Sequence, residues 1–235
     1  YKVWIKSATD QIHNIAVQGP NSRKILEKFI WTPPAQASIN ELKWFKFTIA
    51  RIDNETGIPV IVSRTGYTGE LGFELYVKNK YVLKLWQELF FNDKNLKPIG
   101  LAARNTLRLE KGFCLYGNDI NDSTSPLEAG LGWITNLSKN FINSDYFVKQ
   151  KNNGLKRKLV GFEIIGKGIA RQHYKVFNND NIDIGTVTSG SMSPSLNKAI
   201  GLAYINIDEC NIGNNVLIQV RNKFLDATIV KIPFL

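Results

Sequence analysis

The sequence has few of the residues from which metal centres and hydrolytic triads are built. Among 235 residues there are two cysteines and two histidines. Cys114 and Cys210 lie far apart without a C-x-x-C spacing, so we expect neither a disulfide framework nor a zinc site, and a reducing compartment fits. A Ser-His-Asp or Cys-His hydrolase would need His13 or His173, and neither lies in a recognisable local signature. We therefore expect both histidines to be incidental and the protein to bind no metal.

Long apolar runs and targeting patterns are also missing. No run of about eighteen apolar residues occurs, so no membrane span is predicted. Residues Tyr1–Thr9 show neither a charged-then-apolar signal pattern nor an Arg-rich transit pattern. The 43% of apolar residues is enough for a real core, and the length indicates one or two domains.

The charge is strongly biased, with 30 Lys and Arg against 20 Asp and Glu and a net charge of +10. Such a bias argues for an acidic partner, which could be nucleic acid, a membrane surface or an acidic protein. The cations are dispersed, with the densest clusters at Lys149–Lys151 and Lys156–Lys158. The sequence lacks the aromatic-basic interleaving and the motifs of common nucleic-acid-binding modules, which argues against nucleic acid.

Strand and helix patterns alternate over the first 150 residues. Short apolar or alternating runs predict strands at Ile15–Gly19, Trp44–Ile52, Ile58–Ser63 and Phe73–Val77. Apolar residues at helical spacing predict helices from Asn21 or Ser22 to about Ile30, at Tyr81–Phe91 and at Pro98–Lys111, the last stopped by Gly112. Residues Leu115–Thr135 are predicted to be mostly loop.

Helical periodicity disappears beyond a segment of Asn, Lys and Gly at Lys149–Lys158, which is predicted to be a linker. Six short strands are then predicted, at Leu159–Ile165, Tyr174–Phe177, Gly185–Ser189, Ile200–Ile205, Val216–Val220 and Leu225–Ile232. The fold class is therefore α+β: an antiparallel-sheet region with flanking helices over residues 1–150, followed by an all-β barrel or jelly-roll-like domain over 157–235.

A glycine-rich stretch at Ser63–Leu75, S-R-T-G-Y-T-G-E-L-G-F-E-L, is the most informative motif. Its three glycines allow close backbone approach and positive φ angles. Between them stand an aromatic ring, Tyr67, and a carboxylate, Glu70. A planar ligand with paired N–H donors, such as a pterin, requires such groups. A glycine-rich hairpin with a solvated glutamate is the commoner alternative.

A second motif covers Gly100–Ile120, G-L-A-A-R-N-T-L-R-L-E-K-G-F-C-L-Y-G-N-D-I. Arg104 and Arg108 are four residues apart and share one helical face. Two neighbouring guanidinium groups could hold carboxylates of a ligand. Equally, Arg108 could form an ion pair within the protein, near Glu110 or with Glu70.

Five blocks in order resemble the aminomethyltransferase family, the T-protein of the glycine cleavage system. They are G-Y-T-G-E, G-L-A-A-R-x-x-L-R-L-E, C-L-Y-G-N-D-I, S-P-L-E-A-G-L-G-W, and G-T-V-T-S-G-x-x-S-P-S-L with I-G-L-A-Y-I. The resemblance runs from I-A-V-Q-G-P at Ile15 to near Pro233. The related iron–sulfur-repair proteins carry K-G-C-Y-x-G-Q-E where this sequence reads K-G-F-C-L-Y-G-N-D. The related sarcosine and dimethylglycine dehydrogenases, and the dimethylsulfoniopropionate demethylase, keep the R-L-E helix but usually lack C-L-Y-G-N-D-I.

The resemblance implies a folate site. Glu70 would hydrogen-bond the pterin of tetrahydrofolate and Arg104 would be a second folate contact. Tyr67 and Arg171 are weaker candidates for the pocket wall. Trp133 and Tyr116 could line the pocket, although core packing would explain both equally well.

The resemblance also implies a reaction. The family transfers an aminomethyl group from the lipoyl arm of an acidic partner, the H-protein, and yields 5,10-methylenetetrahydrofolate and ammonia. Tetrahydrofolate would be a substrate, no metal, nucleic acid or membrane would be involved, and the location would be the bacterial cytoplasm, or the mitochondrial matrix in a eukaryote. The alternatives are a non-catalytic folate-binding protein or another folate-dependent demethylase on the same fold.

The sequence departs from the family pattern in two places. The family's catalytic aspartate lies in a D-D-L-I-V type segment, whereas Tyr1–Ser7 resembles the K-D-x-x-W-I-K stretch that follows it. We therefore expect roughly the first third of a usual member to be missing, leave the catalytic residue unassigned, and expect this chain alone to be inactive. A folate-contacting tyrosine near the family's carboxyl terminus also has no equivalent.

Overall fold

The computed structural model describes residues 2–235. Tyr1, the first residue of the stretch expected to follow the family's aspartate segment, lies outside the described residues. Two compact units result, the first ending at Leu101 and the second comprising Ala102–Leu235. The domain limits expected from the sequence, 1–150 and 157–235, differ from the boundary between these two units. They stay a prediction.

The first unit is built on a five-stranded antiparallel sheet with the strand order β1-β5-β4-β3-β2. Its strands are β1 (Ile12–Gln18), β2 (Ile30–Trp31), β3 (Phe47–Ile52), β4 (Pro59–Ser63) and β5 (Gly72–Lys78), and its helices are α1 (Ser22–Leu26) and α2 (Val82–Asn92). Alternation in β3 buries Thr48, Ala50 and Ile52 and leaves Phe47 and Ile49 exposed. One face of the sheet therefore forms the core, together with apolar residues of both helices.

The second unit contains a closed six-stranded barrel with the order β10-β11-β6-β9-β8-β7, closed by pairing of β10 with β7. Its strands are β6 (Arg157–Ile164), β7 (Lys175–Phe177), β8 (Asp183–Ser193), β9 (Lys198–Asn206), β10 (Asn215–Val220) and β11 (Lys223–Val230). Its helices are α4 (Ser144–Asn153) and α3 (Leu101–Glu110), which belongs to this unit from its second residue onward. The register of β8 against β9 shifts between Val187 and Ser189, which leaves Thr188 as the extra residue of a bulge. Because of this shift, Val187, Thr188 and Ser189 are all buried.

The antiparallel sheet and the closed barrel confirm the predicted fold class. Two details differ. Helix α1 ends at Leu26 rather than near Ile30, and Asn21 makes no side-chain cap. The linker prediction for Lys149–Lys158 is wrong, because α4 extends through Asn153 and β6 begins at Arg157. Within residues 2–235, no helix has both the length and the apolar content needed to cross a membrane.

Candidate functional site

The glycine-rich loop joins β4 to β5 and is held by one side chain from the end of β1. Gln18 Nε2 donates to the carbonyl oxygens of Thr65, at 3.3 Å, and Phe73, at 3.2 Å. The hydroxyl of Thr68 in turn donates to Gln18 Oε1 at 3.1 Å. The amide of Gln18 thus links both ends of the loop and its middle. Gly69, at φ +72°, supplies the left-handed residue that the turn requires.

Two of the glycines are needed because Gln18 lies directly against them. A Cβ added at Gly66 would be 2.1 Å from Gln18 Oε1, and one added at Gly72 would be 2.0 Å from the same atom. Both contacts are far shorter than van der Waals distance. Any side chain at either position would therefore displace the amide and break its three hydrogen bonds.

Further bonds fix the far end of the loop. Gly19 N–H donates to the carbonyl oxygen of Leu71 at 2.7 Å, and the Ser22 hydroxyl donates to the same oxygen at 3.2 Å. The backbone N–H of Glu70 donates to the Thr68 hydroxyl oxygen at 3.3 Å. The loop therefore has a defined shape set by β1 and the start of α1.

This loop carries two of the residues predicted from the sequence. Tyr67 is half-buried and Glu70 is exposed. Among the described residues, the Glu70 carboxylate has no hydrogen-bond or salt-bridge partner. Its two oxygens are therefore open to the N–H donors of a ligand.

Arg64, at the base of the loop, was not singled out by the sequence analysis. Its guanidinium lies 4.9 Å from the centre of the Trp44 ring and donates to the carbonyl oxygen of Leu42 at 3.0 Å. Its Nε is buried without a hydrogen-bond partner in the described part of the chain. Desolvation, followed by the charge of Arg23, lowers the pKa of Arg64. This cation is therefore held by a carbonyl oxygen and an aromatic ring at the base of the loop.

Arg108 in the second unit is a structural residue rather than a ligand contact. It is 1% exposed. Its Nη1 donates to Asp119 Oδ2 at 2.6 Å and to the carbonyl oxygen of Phe113 at 2.9 Å, and its Nη2 donates to Ser189 Oγ at 2.8 Å. The ion-pair interpretation is thus correct, but the partner is Asp119 and not a group near Glu110 or Glu70. Arg104 lies one turn earlier on α3 and is exposed.

Asp119 is the centre of this buried network. Besides Arg108, its carboxylate accepts hydrogen bonds from the Leu115 N–H at 2.9 Å, from Ser189 Oγ at 3.0 Å and from the Thr188 hydroxyl. The bulge of β8 makes this possible, since it turns two successive side chains toward one carboxylate. The Tyr204 hydroxyl donates to the carbonyl oxygen of Asp119 at 2.9 Å, and burial raises the pKa of Tyr204.

Glu110 fastens the end of α3 to the same strand. Its Oε1 accepts from the Ser193 hydroxyl at 2.5 Å, and its Oε2 accepts from the Ser195 hydroxyl at 3.1 Å. The R-L-E, N-D-I and T-S-G-x-x-S-P-S blocks therefore meet in one buried polar cluster whose visible role is to join α3, the following loop and the barrel.

The other predicted residues lie at the surface of the second unit. Arg171 is exposed and donates to the carbonyl oxygen of Gly190 at 3.3 Å. Trp133 is 81% exposed and Tyr116 is 65% exposed, so core packing explains neither. A polar cavity of about 310 Å³, lined among others by Asn118, His173 and Tyr204, contains none of the four predicted folate contacts. Residues 2–235 hold no cluster of three or more His, Cys, Asp or Glu side chains suited to a metal ion.

Comparison with known proteins decides the family. Residues 1–139 match the family described as "GCVT N-terminal domain", and residues 157–235 match "Glycine cleavage T-protein C-terminal barrel domain". The chain belongs to the glycine cleavage T-protein family. The predicted resemblance is thereby confirmed.

Individual relatives support this family membership. The chain is 46% identical over 234 residues to an aminomethyltransferase of Halothermothrix orenii and 46% identical over 236 residues to one of Porphyromonas gingivalis, with 98% of the chain covered in each case. The crystal structure of the glycine cleavage system aminomethyltransferase T from Bartonella henselae matches 95% of the chain with a TM-score of 0.83 and 29% identity. The chain spans 63% of the length of the two curated relatives and 60% of the Bartonella chain.

The sequence analysis missed Gln18, Thr68 and Asp119. A usable signal existed for Gln18, since it is the one amide within the apolar run Ile15–Gly19, immediately before a glycine. Asp119 lies in the block C-L-Y-G-N-D-I, but several of the groups that donate hydrogen bonds to its carboxylate are distant in sequence and are brought to it by the fold.

Proposed function

We propose that this T-protein chain binds the pterin of tetrahydrofolate at the loop between β4 and β5, and that it serves aminomethyl transfer from a lipoylated H-protein. One observation carries the proposal: a loop of fixed shape exposes the carboxylate of Glu70, unpartnered within the described residues, three positions from the ring of Tyr67. Membership of the glycine cleavage T-protein family supports tetrahydrofolate as the substrate.

The chemistry of the pterin suits this arrangement. A carboxylate can accept two parallel hydrogen bonds from the pyrimidine ring of a pterin, and such charge-assisted bonds are stronger than neutral ones. The Tyr67 ring offers a flat surface for the bicyclic system. Arg104 as a second folate contact and Arg171 as a residue of the pocket wall stay predictions from the resemblance.

In the proposed reaction, N5 of tetrahydrofolate bonds to the methylene carbon of the aminomethyl group as the bond from that carbon to nitrogen breaks, and the N5 proton leaves with the nitrogen as ammonia. N10 then bonds to the same carbon as its bond to the lipoyl sulfur breaks, and the N10 proton passes to the sulfur to leave a free thiol. The product is 5,10-methylenetetrahydrofolate. The contribution of the residues described above is binding and orientation of the folate, which can supply much of the rate. We assign no catalytic acid or base, because the sequence contains no segment of the D-D-L-I-V type.

Replacement of Glu70 tests the folate site. We expect Glu70→Ala to weaken tetrahydrofolate binding by about 2 kcal/mol, or about thirtyfold, because a charge-assisted hydrogen bond is lost. Anaerobic calorimetric titration of both proteins measures this difference. Glu55→Ala is the matched control, since Glu55 is an exposed glutamate of the β3–β4 turn on the same sheet. Equal affinities of Glu70→Ala and the parent chain would contradict the assignment.

The alternative implied by the resemblance is a folate-binding protein without transfer activity. A single measurement distinguishes the two functions. Formation of 5,10-methylenetetrahydrofolate from an aminomethyl-loaded H-protein supports the transferase, whereas folate binding without turnover supports the alternative.

A further inference from the structure

The position of Glu70 depends on a side chain outside its own motif. We propose that Gln18 is the positioning residue for Glu70: its amide holds the loop between β4 and β5 in the conformation in which the Glu70 carboxylate meets the pterin. This inference rests on the proposed function and extends it to a residue 52 positions earlier in the chain.

Two successive hydrogen bonds connect the residues. Gln18 Oε1 accepts from the Thr68 hydroxyl at 3.1 Å, and the oxygen of that hydroxyl accepts from the Glu70 N–H at 3.3 Å. The Thr68 hydroxyl can accept from Glu70 while donating to Gln18 because a hydroxyl has one proton and two lone pairs. The backbone of Glu70 is thus tied to the end of β1 through a single intermediate side chain.

Only a glutamine amide fills all of these roles. Its Nε2 uses both protons, on the carbonyl oxygens of Thr65 and Phe73. A glutamate at this position has no proton to donate at neutral pH, and asparagine is one methylene shorter. The absence of a side chain at Gly66 and Gly72 leaves the space that Oε1 occupies, since a Cβ at either position would lie 2.1 Å or 2.0 Å from it.

Two variants remove the connection from opposite ends. Gln18→Met preserves length and lacks both the donor and the acceptor, and Thr68→Val preserves shape and lacks the hydroxyl. Gln36→Met serves as the matched control, since Gln36 is an exposed glutamine of the same unit. Thermal unfolding followed by circular dichroism establishes that each variant folds, and Thr68→Val replaces Gln18→Met should the latter fail to fold.

Hydrogen exchange of the peptide that covers residues 64–71 gives a first readout that needs no folate. We expect exchange of the Glu70 amide to be at least about tenfold faster in Gln18→Met and in Thr68→Val than in the parent. Thr68→Val removes the hydrogen bond that protects this amide, and Gln18→Met removes the acceptor that holds the Thr68 hydroxyl in place. Unchanged exchange in both variants would overturn the inference.

Binding of tetrahydrofolate gives the second readout. We expect Gln18→Met to weaken binding by about tenfold in the parent but not in a Glu70→Ala background, because Gln18 acts through Glu70. Equal weakening in both backgrounds would show a general structural role and overturn the inference, as would unchanged affinity of Gln18→Met in the parent. Unchanged affinity of Glu70→Ala would instead overturn the proposed function, and with it any role of Gln18 toward folate, while the exchange experiment still decides whether Gln18 holds the loop.

Discussion

Removing the carboxylate of Asp119 should be among the most damaging single changes in the second unit. The side chains of Arg108 and Asp119 are 1% and 0% exposed, and their closest charged atoms are 2.6 Å apart. Asp119→Ala would leave the guanidinium without its counter-ion and the donors of Leu115 and Ser189 without this acceptor, whereas the Thr188 hydroxyl keeps the carbonyl oxygen of Leu202 at 3.2 Å.

The expected loss follows from this burial. Breaking a buried ion pair by removing one partner costs about 3–5 kcal/mol, because an uncompensated charge remains. Since domains are stable by about 5–15 kcal/mol, this is a large fraction of the total. Replacing both partners should cost less than the sum of the single losses. We expect Arg108→Met combined with Asp119→Ala to be at least about 1 kcal/mol more stable than the sum of the two single losses predicts.

The matched control is an ion pair at the surface of the same barrel. Lys175 and Asp183 approach to 2.9 Å, but their side chains are 53% and 46% exposed. Breaking such a pair costs about 0–1 kcal/mol. Lys175→Ala therefore isolates the effect of burial from that of charge.

Urea-induced unfolding followed by circular dichroism measures these losses. With a slope of about 2 kcal/mol per molar urea, a loss of 3–5 kcal/mol lowers the midpoint by about 2 M. A loss for Asp119→Ala as small as that for Lys175→Ala would refute the reasoning. It would mean that Arg108 is readily rehydrated, and the view of Arg108 as a ligand contact would return.

Three further predictions concern the loop, a thiol and the surface charge. Gly66→Ala should destabilise the chain by about 1–3 kcal/mol in urea unfolding, and by less in a Gln18→Ala background, since the added methyl then meets no amide. Burial, followed by the charge of Asp119, raises the pKa of Cys114 from 9.0 to about 11. Its alkylation by iodoacetamide at pH 8 should therefore be about a hundredfold slower than in the urea-denatured chain and should rise with pH until about 11. Association with the proposed partner, a lipoylated H-protein, should slow markedly between low and moderate ionic strength because of the net charge of +10. The dependence of the association rate on salt should be weaker in the double variant Lys156→Ser/Lys158→Ser. Stopped-flow association rates that do not change with salt would mean that the net charge plays no part in recognition of the partner.

The strands were predictable because their signal is local. In β3 the alternation from Phe47 to Ile52 predicts a strand, but it does not predict which face is buried, since Phe47 and Ile49 are exposed whereas Thr48 and Ala50 are buried. The barrel strands β6 and β9 are recognisable from their continuous apolar runs. Helix α4 was missed for the opposite reason. Its last residues, Lys149–Asn153, are mostly solvated, and composition alone does not distinguish a polar helical turn from a linker.

The polar contacts were not predictable because the fold creates them. The acceptors of Gln18 lie in the β4–β5 loop and at the start of β5, far along the chain. Arg108 finds Asp119 within its own motif, but the hydroxyl groups of Thr188 and Ser189 reach the same carboxylate only because β8 has a bulge. The alternation of residues along a strand does not indicate where a bulge will form. The sequence could therefore suggest an ion pair for Arg108 without identifying the partner.

This distribution of contacts separates what the family motifs say about fold from what they say about chemistry. The R-L-E, N-D-I and T-S-G-x-x-S-P-S blocks contribute Arg108, Glu110, Asp119 and Ser189, all of them buried, to one cluster that joins a helix to a barrel. A protein can keep such a cluster whatever substrate it uses, which agrees with the R-L-E helix that the resemblance implies for related dehydrogenases and demethylases. The exposed carboxylate of Glu70 makes no contribution to that cluster. A chain that retained the three blocks but lost Glu70 should therefore still fold as this barrel. Its similarity to the family would then be evidence for the architecture but not for folate binding.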